Sequence, residues 1–147
     1  MKRDIRIERF YPSPPESVFH ALSDSATLAQ WLMPNDFQPR LGHKFQFRSK
    51  PQGNWNGVTD CEVIACDPPR KLAYTWSGQS KDGKGKALGD TVVTWSLTPE
   101  NGGTRLVLEH TGFTGWGEVA LSVMMGMGWK KKLKTTIPAL LALARAA

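Results

Sequence analysis

The sequence is short of the residues from which several protein classes are built. It has two cysteines, too few for a disulfide scaffold. Cys61 and Cys66 are five apart in a stretch that reads as one strand, where odd and even residues point to opposite faces. They are expected to remain reduced structural thiols, since no histidine or second cysteine pair stands at metal spacing beside them. No apolar run of about 18 residues is present, so no insertion into a bilayer is expected. The opening MKRDIRIERF lacks the apolar segment and small-residue cleavage site of a secretory signal, which makes the cytoplasm the expected location. Familiar catalytic signatures are missing as well. There is no Gly-x-Ser-x-Gly and no His-Glu-x-x-His, and Gly83-Lys84-Gly85-Lys86 sits in a polar stretch rather than between a strand and a helix. No metal and no cofactor are expected.

Acid is missing from one region only. Residues 119–147 hold Lys130, Lys131, Lys132, Lys134 and Arg145 without a single Asp or Glu, and so carry most of the net charge of +6. Basicity confined to one helix reads as a solvated face rather than a phosphate-binding stripe, and nucleic acid is not expected as a partner.

What is present is the material of one soluble domain spanning residues 1–147, with 40% hydrophobic and 10% aromatic residues. Residues 4–10 alternate apolar and charged, the period of a half-buried strand with Ile5 and Ile7 on one face. Ser13 is placed to cap a helix that buries Val18, Phe19 and Leu22. A second short helix from about Ser25 carries Leu28, Trp31 and Leu32, and Pro34 stops it. From Gly42 the period becomes two, with strands predicted at 43–49, 57–66, 71–77, 90–98 and 104–111, and a long loop from Ser77 to Asp90. The alternation collects Phe45, Phe47, Cys61, Val63, Leu72, Tyr74, Trp76, Val93, Trp95, Leu97, Leu106, Leu108 and His110 on one face. Lys44, Arg48, Asp60, Glu62, Thr75, Thr94, Ser96 and Glu109 fall on the other. One side of the sheet is therefore wet, and something must cover the other.

The cover is a helix from about Gly117 to Arg145, with Leu121, Met125, Trp129, Leu133, Ile137, Leu140 and Leu143 as its apolar stripe. Pro138 should kink or restart it near Thr135 or Thr136. The order β–α–α–β–β–β–β–β–α describes an α+β fold, a curved antiparallel six-stranded sheet with two short helices and a long C-terminal helix packed over it. Val123, Met124 and Met127 project away from the stripe, which leaves a homodimer contact open.

Several phrases in this order resemble a known family. They are Ile7-Glu8-Arg9, Ser13-Pro14-Pro15-Glu16-Ser17-Val18-Phe19, Leu28-Ala29-Gln30-Trp31-Leu32, Gly42-His43-Lys44-Phe45, Asp67-Pro68-Pro69-Arg70-Lys71-Leu72, Tyr74-Thr75-Trp76, Gly103-Thr104-Arg105-Leu106, His110-Thr111-Gly112-Phe113 and Gly128-Trp129 with Leu133. Over essentially its whole length the chain resembles the START-like (SRPBCC) superfamily, in the group named after the activator of the heat-shock-protein ATPase. It departs from the pattern at His43, where a second glycine is usual, and in its Lys130-Lys131-Lys132 triplet. The resemblance implies the helix-grip fold, shared by START-like and birch-allergen-like proteins, with a ligand cavity between sheet and C-terminal helix. Because this superfold hosts carriers, cyclases and co-chaperones, fold alone does not decide function.

The residues expected to line that cavity are Trp31, Phe45, Phe47, Cys61, Val63, Tyr74, Trp76, Val93, Trp95, His110, Phe113, Met125, Trp129 and Leu133. The expected ligand is a hydrophobic or aromatic small molecule, bound without catalysis. An enzyme alternative, of cyclase or aromatase type, would use His110 and Tyr74 to handle protons. A third reading is a co-chaperone surface that stimulates a chaperone ATPase and needs no cavity.

Overall fold

The computed structural model describes residues 4–82 and 84–146. Six antiparallel strands form one sheet: β1 (Ile5–Tyr11), β2 (Lys44–Arg48), β3 (Trp55–Asp67), β4 (Lys71–Ser80), β5 (Lys86–Glu100) and β6 (Gly103–Thr111). Their order is β1-β6-β5-β4-β3-β2. The two strands nearest the N-terminus thus occupy opposite edges, and helices α1 (Pro15–Ser23) and α2 (Ser25–Trp31) carry the chain from one edge to the other. Every inward residue expected from the alternation, from Phe45 through His110, is buried, so the period-two pattern and the pleat agree.

The differences from the sequence reading are local and have physical causes. The N-cap position of α1 is Pro14, one residue after Ser13, and the buried Ser13 carbonyl accepts the Thr104 hydroxyl at 2.7 Å. Helix α2 is capped as its residues require, with Asp24 Oδ2 accepting from the Thr27 backbone N–H at 3.1 Å. The long loop expected from Ser77 to Asp90 is mostly strand. Gly78 pairs with Leu88 and Gln79 with Lys86, and Asp82 closes the turn by accepting from the Ser80 hydroxyl and the Lys84 N–H. The polar composition there hides a pairing that the neighbouring strands impose; Gly83 lies outside the described residues. At the other end of β5 the strand runs through Pro99 to Glu100, and Asn101 and Gly102, both with positive φ, make a two-residue turn into β6.

The C-terminal cover is a continuous helical run in three parts: α3 (Gly115–Lys131), one π-helical turn over Lys132–Thr136, and α4 (Ile137–Ala146). The interruption falls where Pro138 was expected to act, but it takes the form of a widened turn. The Ile137 N–H reaches back five residues to the Lys132 carbonyl. The next five-residue bond would need an N–H at Pro138, which has none, so the Leu133 carbonyl is left to another donor. The buried Tyr11 hydroxyl supplies it at 2.6 Å, tying β1 to the helix. The buried apolar residues along the run are Trp129, Leu133, Ile137 and Leu141, a row of constant spacing four. On a straight α-helix such a row drifts around the axis; the extra residue in the wide turn absorbs the drift. Leu143, expected inward, is for this reason 70% exposed, and Leu141 takes its place. Among the described residues, no helix is long and apolar enough to cross a membrane.

Candidate functional site

The expected cavity wall divides into two sets in space. Most of its residues form solid core. Trp31 and Trp95 meet edge to face at 6.1 Å between ring centroids, Trp95 and Trp129 at 5.6 Å, and Trp76 and Trp129 at 5.7 Å. Phe45, Phe47 and Tyr74 continue the array toward the β2 edge, with Phe37 packed against Phe45 and Tyr74. Interlocking edge-to-face rings fill volume efficiently, and these side chains pack against one another as buried core. Cys61, Val63, Val93, Phe113 and Leu133 are buried in the same core.

The polar groups inside this core are occupied by one another. Trp31 Nε1 donates to the Ala21 carbonyl at 2.8 Å, and Trp95 Nε1 to the Tyr74 hydroxyl at 3.1 Å. His110 is fully buried, and both ring nitrogens are engaged. Nδ1 accepts from Trp129 Nε1 at 3.2 Å, and Nε2 lies 2.8 Å from the Thr91 hydroxyl, which itself donates to the Trp76 carbonyl. With Nδ1 an acceptor, the proton sits on Nε2 and the ring is neutral. Burial pushes its pKa down to about 3. Burial likewise raises the Tyr74 phenol and the Cys61 thiol above their ordinary ranges. These three groups are held in uncharged forms.

An open cleft of about 580 Å³ lies instead beyond this core, between α3, the β2–β3 turn and the extended β4–β5 hairpin. Leu32, Met33, Trp55, Trp76, Leu88 and Trp129 make most of its apolar wall. Of the expected residues, Trp76, Met125 and Trp129 belong to this wall, and the others do not. Trp55 is fixed by its indole N–H, which donates to the Val58 carbonyl at 2.8 Å. Helix α3 is held over the cleft by Glu118, whose carboxylate accepts from the Gly89 N–H of β5 at 3.0 Å and from the Thr114 N–H at 3.1 Å. Gly117 and Gly128 leave the helix backbone bare where it borders the cleft, and a Cβ added at either meets nothing within 4 Å. Lys132, in the π-helical turn, is half-buried in the wall, and its Nζ donates to the Trp31 carbonyl at 3.2 Å.

The sequence reading missed Trp55, Leu88 and Lys132 because each depends on the β4–β5 extension or on the wide helical turn. The glycines and methionines of α3, crowded into Gly117-to-Gly128, are the signal that points there. Among the described residues, no three His, Cys, Asp or Glu side chains come together as a metal site.

Comparison with known proteins decides the family. The family model described as activator of Hsp90 ATPase homolog 1-like protein matches residues 12–142. The chain belongs to that family. No curated protein matches it. Its solved structural relatives include protein MLL2253 of Mesorhizobium loti, 35% identical, covering 95% of this chain and 97% of that one at a TM-score of 0.80. CalU16 of Micromonospora echinospora is 26% identical over 95% of this chain and 76% of its own, at 0.72. Protein BH1534 of Bacillus halodurans is 27% identical over 96% and 99%, also at 0.72. This Hsp90-activator-like chain therefore has the helix-grip architecture of the SRPBCC superfamily, with the six-stranded sheet and long C-terminal helix described above.

Proposed function

We propose that this Hsp90-activator-like domain binds a hydrophobic or aromatic small molecule in the cleft under α3 and does so without catalysis. The observation that carries this reading is the cleft itself: about 580 Å³, walled mainly by apolar and aromatic side chains, and bordered by two helix glycines where side chains would otherwise intrude. The residues an enzyme reading would use stand elsewhere. His110 and Tyr74 are outside the cleft wall, and both ring nitrogens of His110 already have protein partners. That favours a binding role over proton transfer.

The test uses Trp55, Trp76 and Trp129, three indoles in the wall, as reporters. Pyrenebutanol and other uncharged aromatic or lipid-like alcohols should quench tryptophan emission and raise the melting temperature as their concentration passes the dissociation constant. A Gly128→Leu variant fills the cleft from the helix side. It should lose ligand binding while gaining about 0.5–1 kcal/mol of stability, because glycine is a poor helix former. Absence of quenching and of any thermal shift across the panel would refute the binding reading and put the co-chaperone surface in its place.

A further inference from the structure

Lys132 is the one ionisable side chain among the described residues that wall the cleft. It stands there because of the π-helical turn, which begins at this residue. Its ammonium has three N–H groups, and the hydrogen bond found for it is to the Trp31 carbonyl at 3.2 Å. Among the described residues, no carboxylate lies within ion-pair distance of it, although the chain's other buried polar groups are well matched. Burial, reinforced by the neighbouring Lys131, draws its pKa down, as expected for a cation taken partly out of water without a counter-charge. Lys130, Lys131 and Lys134 are exposed to solvent and need no such partner.

Building on the binding reading above, we propose that the ligand is an apolar molecule bearing one carboxylate, and that Lys132 is the residue that selects for it. The cleft holds the apolar body against Trp55, Trp76 and Trp129, and the ligand's carboxylate completes the ammonium's coordination beside the Trp31 carbonyl. A single ammonium in a wall that carries no other charged side chain matches a monoanion. A phosphate dianion would require more than one cation, and the wall has no arginine fork to grip two oxygens at once.

The experiment compares pyrenebutyrate with pyrenebutanol, which share a ring system and differ in the charged end. Energy transfer from the wall tryptophans reads the dissociation constant of each. The wild-type chain should bind the carboxylate about tenfold more tightly than the alcohol, the worth of one charge-assisted hydrogen bond. Lys132→Met should bring the ratio close to one, Lys132→Arg should keep part of it, and Lys130→Met, an exposed neighbour, should leave it intact. The wild-type ratio needs no variant, so the proposal is tested even if Lys132→Met does not fold. A wild-type ratio near one, or a preference that survives in Lys132→Met, overturns the assignment while the cleft reading stands. Failure of both probes to bind removes the cleft reading, and this inference with it.

Discussion

His110 illustrates how little a residue's chemistry follows from its type alone. Its place at the inner end of the last strand is readable from alternation, yet its two partners come from Thr91 on β5 and Trp129 on α3, which only the folded chain brings together. The consequence is measurable. The folded pKa is about 3, against an ordinary value of 6.5, and burial alone accounts for the depression. Between those values the unfolded chain binds more protons than the folded one, so stability is complete above pH 6.5 and falls as pH drops toward 3. The loss at pH 5 should be about 2 kcal/mol. Asp24, Asp82 and Glu100, held low by hydrogen bonds led by Thr27, Ser80 and Arg105, add to the loss only at lower pH, so the upper window isolates the imidazole. Denaturant titrations at pH 7 and pH 5 measure the slope, and a flat profile would show that the ring reaches solvent. In His110→Gln, which has nothing to titrate there, the slope should disappear even though the variant is less stable.

At the scale of elements, the C-terminal helix shows which parts of the structure a sequence displays and which it conceals. Its length, its apolar row as far as Ile137 and a break near Pro138 follow from periodicity and the missing amide. The form of the break does not, because a kink and a widened turn satisfy the same local sequence and differ only in where the freed carbonyl finds a donor. That donor is Tyr11, more than a hundred residues away in sequence. Replacing Tyr11 by Phe keeps the ring and removes the hydroxyl, leaving the Leu133 carbonyl buried without its partner. The cost should be about 1–3 kcal/mol. Thermal melts and urea titrations check this, and an unchanged midpoint would mean that the wide turn closes its own hydrogen bonds. The same turn sets the position of Lys132, so the element that the sequence left least defined is also the one that gives the cleft its charge.

At the scale of the whole molecule, the architecture was legible and the position of the open cleft was not. Strand alternation, helix periodicity and chain order gave the six-stranded sheet and its helical cover, because each is a repeating signal summed over many residues. The distribution of empty space is a difference between large filled volumes, and no period encodes it. Seven aromatic side chains from Trp31 to Trp129 could line a cavity or pack as core; most of them meet edge to face in the core, and an open cleft lies under α3. Extension of β4 and β5 by only a few residues beyond the expected ends supplied Leu88 and the far wall.

The pairing of β1 with β6 has a consequence for how the protein is made. Ile5 lies opposite His110, so β1 leaves the ribosome about a hundred residues of synthesis, on the order of 5–20 s, before β6, the strand it pairs with among the described residues, exists. During that interval β1 has unsatisfied edges on both sides and an apolar face with Ile5 and Ile7 exposed. Nascent chains stalled with Gly103–Thr111 still in the exit tunnel should therefore be cut by protease within Ile5–Tyr11, and folded, released chains should resist. Early protection of β1 would mean that the growing chain shelters it by another route. A strand made long before its partner spends those seconds with an unpaired edge that another chain could fill.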